Sequence, residues 1–222
     1  MLPFVHAPRV AFRSARVAGP AWALLPSAAG VIDPLLSTGF PLTLLGILRL
    51  VDLLGRTAPG PERASALQED QRVTLAELDA TERLVAAMYA TMSDLPLFKR
   101  LSLLYFAAAS FSEAARRLER PELAPGFLLS AHPGFSREFD TCVTLAAVAP
   151  RGRTRDELLA RIDRAIEPFD IAGLLDPSRA DWYPVLASDL LASANKLQAT
   201  HEEIVRLLER SGMVPHGRKE CV

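Results

Sequence analysis

The apolar run of residues 40–54 is the feature that most limits what this chain can fold into. Its sequence is FPLTLLGILRLVDLL, in which Arg49 and Asp52 are the charged residues. A helix of this composition is apolar on most faces, which is typical of a helix buried inside a protein. A membrane span needs about 20 apolar residues, and the uncharged part of this run is about half that length. The run therefore predicts a buried core helix and no membrane association.

The residues before this helix predict short strands and an irregular loop. Residues 8–16 alternate apolar and polar side chains, which predicts a strand with one wet face. Gly19-Pro20 predicts a turn, and the uniformly apolar residues 21–25 predict a strand covered on both sides. Residues 26–39, PSAAGVIDPLLSTG, are rich in small side chains and predict a long loop.

Residues 55–73 hold Gly, Pro and charged residues, and they predict a linker or domain boundary. After them the sequence is almost wholly helical in pattern. The expected fold class is therefore mainly α, with a short β portion at the start. We place the domain division after residue 58, giving domains 1–58 and 59–222.

Two capping boxes are expected to mark helix starts in the second domain. Thr74 with Glu77, and Thr154 with Glu157, have the spacing at which a hydroxyl and a carboxylate satisfy each other's free backbone N–H groups. The pattern also predicts a helix or helix pair at residues 95–118, an amphipathic helix stopped near Pro168, and a long helix at about 188–211 that ends at Gly212. His201 would then lie in the middle of a helix.

Composition and motifs exclude several function classes. The net charge of −1 is mixed along the chain, without the basic stripe of a nucleic-acid-binding protein. No GxG, P-loop, HExxH or GxSxG motif occurs. The four histidines are scattered and the two cysteines are far apart, so no metal site or disulfide is predicted. The acidic pairs at 69–70 and 202–203 are expected to be solvated. The start of the chain is a poor signal peptide, and we expect a cytoplasmic protein.

Ser37-Thr38-Gly39, at the mouth of the apolar helix, is the best candidate site. The first turn of a helix has backbone N–H groups without intrahelical partners, and the helix dipole places partial positive charge there. Gly39 removes the Cβ atom at the point of contact, while Ser37 and Thr38 add hydroxyl groups without bulk. Such a helix start can hold an electron-rich ligand edge. A purely structural loop, in which Asp33 binds backbone N–H groups, is an equal alternative from pattern alone.

The stretch WALLPSAAGVIDPLLSTGFPLTLLGI resembles the second FAD-contact motif of flavin-dependent monooxygenases and, more closely, of flavin-dependent halogenases. The matching elements are Ala28-Ala29-Gly30, Asp33-Pro34-Leu35 and Ser37-Thr38-Gly39. The family's Gly-Asp is replaced here by Pro26-Ser27, so the carboxylate that binds a ribityl hydroxyl is missing. The GxGxxG half of such enzymes and the halogenase lysine are also missing.

The resemblance implies FAD as the cofactor and a set of residues that contact it. The loop would pass along the ribityl chain and pyrophosphate, and the helix start would face the pyrimidine edge of the flavin, near the halide in halogenases. The implied cofactor-binding residues are Ser27, Ala28, Ala29, Asp33, Pro34, Ser37, Thr38, Gly39 and Phe40.

The sequence and the resemblance together predict the C-terminal portion of an FAD-dependent oxidoreductase. Residues 1–58 would be the end of an FAD-binding α/β domain, and residues 59–222 a helical C-terminal domain. The expected partners are the flavin and an N-terminal FAD domain, supplied by a missing upstream segment or by a separate subunit. Two alternatives remain open: a non-catalytic helical interaction module, and one half of a split flavoenzyme.

Overall fold

The computed structural model describes residues 11–179 and 185–213. It is 67% helix with few short strands, which confirms the prediction of a mainly α protein. The chain divides into two compact units, residues 1–86 and residues 87–222. These units are defined by contacts within the chain. The boundary that we predicted after residue 58 is of another kind, the end of an FAD-binding domain, and it stays a prediction.

The described part of the first unit, residues 11–86, contains four strands of two residues each, in two antiparallel pairs. They are β1 (Phe12–Arg13), β2 (Ala18–Gly19), β3 (Trp22–Ala23) and β4 (Gly30–Val31). β1 pairs with β4, and β2 pairs with β3 through the predicted turn at Gly19-Pro20. The strand predicted at 8–16 lies partly outside the described residues. Within them, only the two residues of β1 are a strand. The covered strand predicted at 21–25 is wrong, because Trp22 and Leu25 are exposed.

The small-residue stretch that we predicted to be a loop forms helical turns on either side of β4. α1 is a single turn (Pro26–Ala29), and a 3-10 turn (Leu35–Ser37) leads into α2 (Gly39–Arg56). α1 packs on α2 at Gly46, where a Cβ atom would lie 2.5 Å from the Cγ and Cδ atoms of Pro26. The glycine thus lets the Pro26 ring lie directly on the helix backbone.

α2 was predicted to be buried, and this prediction is wrong for half of the helix. Its buried residues are Leu42, Gly46 and Leu53. Leu53 joins a small core with Ala18 and Leu67. The opposite side is apolar and exposed among the described residues. The reason is that α1 and α3 contact one side of the helix, and none of residues 11–86 covers the other.

The predicted linker is mostly helix. α3 (Pro61–Ala90) begins at Pro61, a residue type well suited to a first helical turn, so only the first few residues of the stretch 55–73 connect two elements. The capping box predicted at Thr74 and Glu77 is also wrong, because both residues lie in the interior of α3 and are buried.

The second unit is helical throughout its described part. Its helices are α4 (Leu95–Arg117), α5 (Pro133–Ala147), α6 (Gly152–Ile166), α7 (Ala187–Ala192) and α8 (His201–Arg210). α4 confirms the helix predicted at 95–118, and it packs against α6. Phe111, Phe135 and Phe169 meet edge to face between these elements, with ring centroids 5.0–5.1 Å apart.

Two helix starts in the second unit differ from the prediction. α6 begins at Gly152, so the capping box expected at Thr154 is wrong. The long helix expected at 188–211 is two helices, α7 and α8. α8 starts with a capping box formed by Thr200 and Glu203, in which the Thr200 hydroxyl accepts from the Glu203 N–H at 3.2 Å. The expected end at Gly212 is confirmed by its φ of 68°.

Within the described residues, one helical stretch is long and apolar enough to cross a membrane by length and composition alone. It spans Leu35–Arg56 and includes α2. This stretch is longer than the uncharged run that we considered, because it continues past Arg49 and Asp52 to Arg56.

Candidate functional site

A tight turn positions the start of α2. The Asp33 carboxylate accepts a hydrogen bond from the Leu35 N–H at 2.8 Å, and the Ser37 N–H donates to the Pro34 carbonyl at 2.9 Å. Leu36 and Ser37 have positive φ values of 64° and 51°. Residues other than glycine adopt this left-handed conformation at a cost in free energy, and it concentrates at functional sites. The Asp-Pro sequence thus reverses the chain in a strained turn.

The start of α2 itself is open to a ligand. Thr38, the N-cap residue, is buried and makes no side-chain hydrogen bond to the first turn. Gly39 and Phe40 follow, and Pro41 has no N–H group, so the first turn presents fewer donors than usual. Apart from the neighbouring residues and the backbone of α2 itself, no heavy atom of the described residues lies within 4 Å of the position that a Cβ atom of Gly39 would take.

Three of the predicted cofactor residues lie on α1, away from the start of α2. Ser27 and Ala28 are exposed on α1, while Ala29 is buried. Since α1 contacts α2 at Gly46, this part of the motif lies about 10 Å along the helix axis from Gly39, at 1.5 Å per residue. The structure groups Ser37, Thr38, Gly39 and Phe40 at one end, but it does not bring Ser27 to the same point.

These residues fit one edge of a planar ligand and not a whole cofactor. The open position beside Gly39 leaves room for a ring edge, and the amides there suit partial negative charge. Pro26, in place of the family's glycine, fills the space over Gly46 and is buried. The exposed surface of α1 offers the Ser27 hydroxyl as a polar group and no carboxylate.

A buried ionic cluster lies farther along α2, about 15 Å from Gly39 at 1.5 Å per residue, and sequence analysis missed it. Arg49 of α2 donates to three side chains of α3: to Asp70 from Nε at 2.5 Å, to Glu77 from Nη1 at 3.0 Å, and to Thr74 from Nη2 at 2.7 Å. Residues 70, 74 and 77 share one face of α3 because their spacing follows the helical repeat. The expectation that Asp70 is solvated was wrong, whereas Glu69 is exposed and pairs with Arg72.

The cluster is held by electrostatics in a dry environment. The side chains of Asp70 and Glu77 are 4% and 2% exposed. Desolvation by itself would lower the pKa of Arg49, but the Glu77 and Asp70 carboxylates outweigh it and raise that pKa. A permanently charged guanidinium with three partners positions two helices, and nothing in this arrangement requires a ligand. The one signal in the sequence was an arginine in the middle of an apolar helix.

The remaining candidate groups have structural roles. The His132 imidazole caps α5 by accepting from the Phe135 N–H at 3.2 Å. His201 is the first residue of α8 and exposed, so its expected mid-helix position was wrong. Burial raises the pKa of the Cys142 thiol to about 12, which leaves it protonated and unreactive. Cys221, His6 and His216 lie outside the described residues. No group of three potential metal ligands occurs within residues 11–179 and 185–213.

A cavity of about 410 Å³ lies in the second unit, lined by residues of α4, α7 and α8 and of the segments next to them, most of which are apolar. Its charged residues, Glu113 and Arg117, pair with each other at 2.6 Å across one turn of α4. The charges at this cavity therefore satisfy each other, and they do not indicate a ligand of particular chemistry.

No family model, no curated protein and no solved structure matches the chain.

Proposed function

We propose that this chain is the C-terminal portion of a cytoplasmic FAD-dependent oxidoreductase of the monooxygenase or halogenase type, and that the start of α2 contacts the edge of the flavin. The observation that carries the proposal is the open position at Gly39, at the positive end of an 18-residue helix. A side chain at this point would cover the amides, and the sequence places there the one residue that has none.

The turn before the helix supports the same assignment. Asp33 fixes the Leu35 amide, and the left-handed residues Leu36 and Ser37 bring the chain abruptly into α2. A simple connection between β4 and α2 does not need two strained residues. A turn that must hold the helix start toward a ligand accounts for them.

The cofactor and the chain would have different roles. FAD, when bound, supplies the redox chemistry. This chain would contribute the amides of Gly39 and Phe40 and the dipole of α2, which favour negative charge at the ring edge. Thr38, Ser37, Asp33 and Pro34 shape the turn. On α1, the exposed Ser27 and Ala28 would lie along the extended part of the ligand, whereas Ala29 is buried and would not touch it.

Nuclear magnetic resonance of the ¹⁵N-labelled chain with millimolar FAD tests the proposal. We expect chemical-shift changes centred on the amides of residues 37–40, and larger ones with reduced flavin because its negative charge interacts with the helix dipole. Gly39→Val should abolish them, since a β-branched side chain would occupy the open position.

Gly55→Val is the matched control, because Gly55 is in the last turn of the same helix and also has no heavy atom near its Cβ position. It should leave the flavin response unchanged. If both variants respond to FAD like the wild type, the start of α2 is not a flavin site. Thr38→Ala should have a smaller effect than Gly39→Val, since the amide remains.

A second candidate is the non-catalytic interaction module, and one observation favours it. The exposed side of α2 carries six large apolar residues, as a partner-binding helix does. An absence of any flavin response, together with partner binding through α2, would support this candidate. One half of a split flavoenzyme would instead show the flavin response only when the FAD-domain subunit is added.

A further inference from the structure

The exposed side of α2 has the periodicity of a helix-pairing surface. Phe40, Leu44, Ile47, Val51 and Leu54 follow one another at spacings of four, three, four and three residues. This is the a/d spacing of a heptad repeat, which makes one straight stripe along a helix. We call these five residues the α2 stripe. Leu48 lies beside the stripe and is exposed too.

The α2 stripe is open to solvent along its whole length, about 21 Å at 1.5 Å per residue. Its side chains and that of Leu48 are between 37% and 72% exposed. At about 100 Å² each they present roughly 600 Å² of apolar surface, at the upper end of the patches found on monomers. A patch of this size indicates an interface.

We propose that the α2 stripe pairs with the α2 stripe of a second copy of this chain, in a symmetric dimer. The first reason is charge. The positions that flank the stripe carry Pro41, Thr43, Leu48, Leu50 and Gly55, none of which is ionisable. When this surface meets its own copy, no like charges oppose each other, which is the requirement for a self-complementary contact.

The second reason is area. A stable interface buries about 800 Å² on each partner, and the apolar stripe with a polar rim of ordinary size reaches that value. The third reason is rigidity. Arg49 and Gly46 lie on the opposite side of α2 and fix it against α3 and α1, so the stripe is ordered before it pairs.

A membrane surface fits the stripe less well. A helix that lies on a membrane carries Lys or Arg along the borders of its apolar face. Here Arg49 points away from the stripe and is held by Asp70 and Glu77. Insertion across a membrane would place this arginine and its carboxylates in the lipid at high cost.

Sedimentation velocity at tens of micromolar tests the dimer. The wild-type chain should sediment as a dimer, and Leu44→Glu/Val51→Glu should sediment as a monomer with unchanged circular dichroism, because both positions are exposed. Val148→Glu is the matched control: Val148 is also an exposed valine, at the end of α5 and outside the stripe. It should remain a dimer.

Cross-linking gives a second test that does not depend on stability. Ile47 is the middle residue of the stripe, and in a symmetric contact the middle residue meets its own copy. In a Cys221→Ser background, Ile47→Cys should form an intermolecular disulfide under mild oxidation at least ten times faster than Val148→Cys.

Three results would overturn the proposal. They are a monomeric wild type, a dimer that survives Leu44→Glu/Val51→Glu, and binding of the wild type to phosphatidylcholine or phosphatidylserine vesicles that this double variant loses. The first would mean that the stripe does not pair with its own copy and is free for a different protein. The last would make the occupant a lipid surface. Each outcome is independent of the flavin response at Gly39.

Discussion

At the scale of single residues, two glycines of α2 differ in what surrounds them, and the difference separates function from packing. Gly39 has no heavy atom within 4 Å of its Cβ position, whereas Gly46 faces the Pro26 ring at 2.5 Å. Sequence analysis singled out the first and gave no role to the second. α1 can pack on α2 only because residue 46 has no side chain.

We expect Gly46→Ala to destabilise the first unit by about 1–3 kcal/mol, because the added methyl group must displace a proline ring. Gly39→Ala should be neutral or slightly stabilising, since alanine has the higher helix propensity. Urea unfolding followed by circular dichroism measures both. Equal stability of the two variants would mean that Pro26 does not rest on α2.

Asp94 is a residue whose lowered pKa makes the stability of the fold depend on pH. It is the N-cap of α4 and accepts hydrogen bonds from Arg155 at 2.5 and 3.0 Å. These bonds lower the pKa of Asp94, against the opposing effect of burial, and the Leu97 amide adds to the lowering. A carboxylate with a lowered pKa stabilises the fold above its ordinary pKa of about 3.9, and this contribution is lost as the pH falls through the folded value.

Asp94→Asn keeps the N-cap and removes the charge. We expect it to be less stable than the wild type at pH 7, and the difference in urea midpoint to shrink as the pH is lowered toward 3. Asp156→Asn is the control, because Asp156 also contacts Arg155 but is 71% exposed. If the difference in urea midpoint between the wild type and Asp94→Asn stays constant with pH, this role of the ion pair is contradicted.

At the scale of elements, α2 is defined by two sides with opposite properties. One side has an arginine with two buried carboxylates and a glycine under a proline ring, and the other side is apolar and open. Leu42 and Leu53 are buried on the inner side together with Arg49, so α2 differs from an ordinary surface helix chiefly by the apolar stripe on its outer side. An exposed stripe of this size indicates that something covers it.

Arg49→Met tests the inner side of the helix. It keeps the length of the side chain but removes the cation from two buried carboxylates, which should cost about 3–5 kcal/mol. Arg56→Met is the matched control in the same helix. Arg56 is 74% exposed and pairs with Asp52 one turn earlier, so its loss should change the free energy of unfolding by less than about 0.5 kcal/mol. Similar effects of the two variants would show that the cluster does not hold α2 on α3.

At the scale of the whole molecule, the chain divides into units at residues 86 and 87, inside the continuous helix α3. Residues 57–60, Thr-Ala-Pro-Gly, connect α2 to α3, and the last three of them are exposed. A protease needs an extended segment, which an intact helix does not provide without local unfolding. The connection between the two units is therefore expected to resist cleavage.

Limited digestion with proteinase K should cut within residues 57–60 before it cuts anywhere in residues 61–90. Mass spectrometry of the first fragments identifies the site. Early cleavage near residues 86 and 87 would mean that α3 is interrupted in solution and that the two units are joined by a true linker.

The sequence by itself determined most of the helices of the second unit, because their signals are local. The spacing of apolar residues and the position of Pro168 predicted α6, and Gly212 predicted the end of α8. Capping boxes were less reliable. The pattern Thr-x-x-Glu occurs at Thr74, Thr154 and Thr200, and only the last caps a helix, because the other two helices begin earlier in the chain. Which threonine caps depends on where the preceding backbone stops being helical.

What the tertiary structure alone decided is which side of each helix is covered. From its composition α2 was predicted to be a buried helix, yet Arg49 turned out to be inside and Leu48 outside. The partners of Arg49 are residues 70, 74 and 77, which the sequence placed in a linker and a helix cap. Burial is a property of two surfaces that meet, so the composition of one helix cannot specify it. For the same reason the start of α2 could be located from the Ser37-Thr38-Gly39 sequence, but the open space beside Gly39 could be seen only after folding.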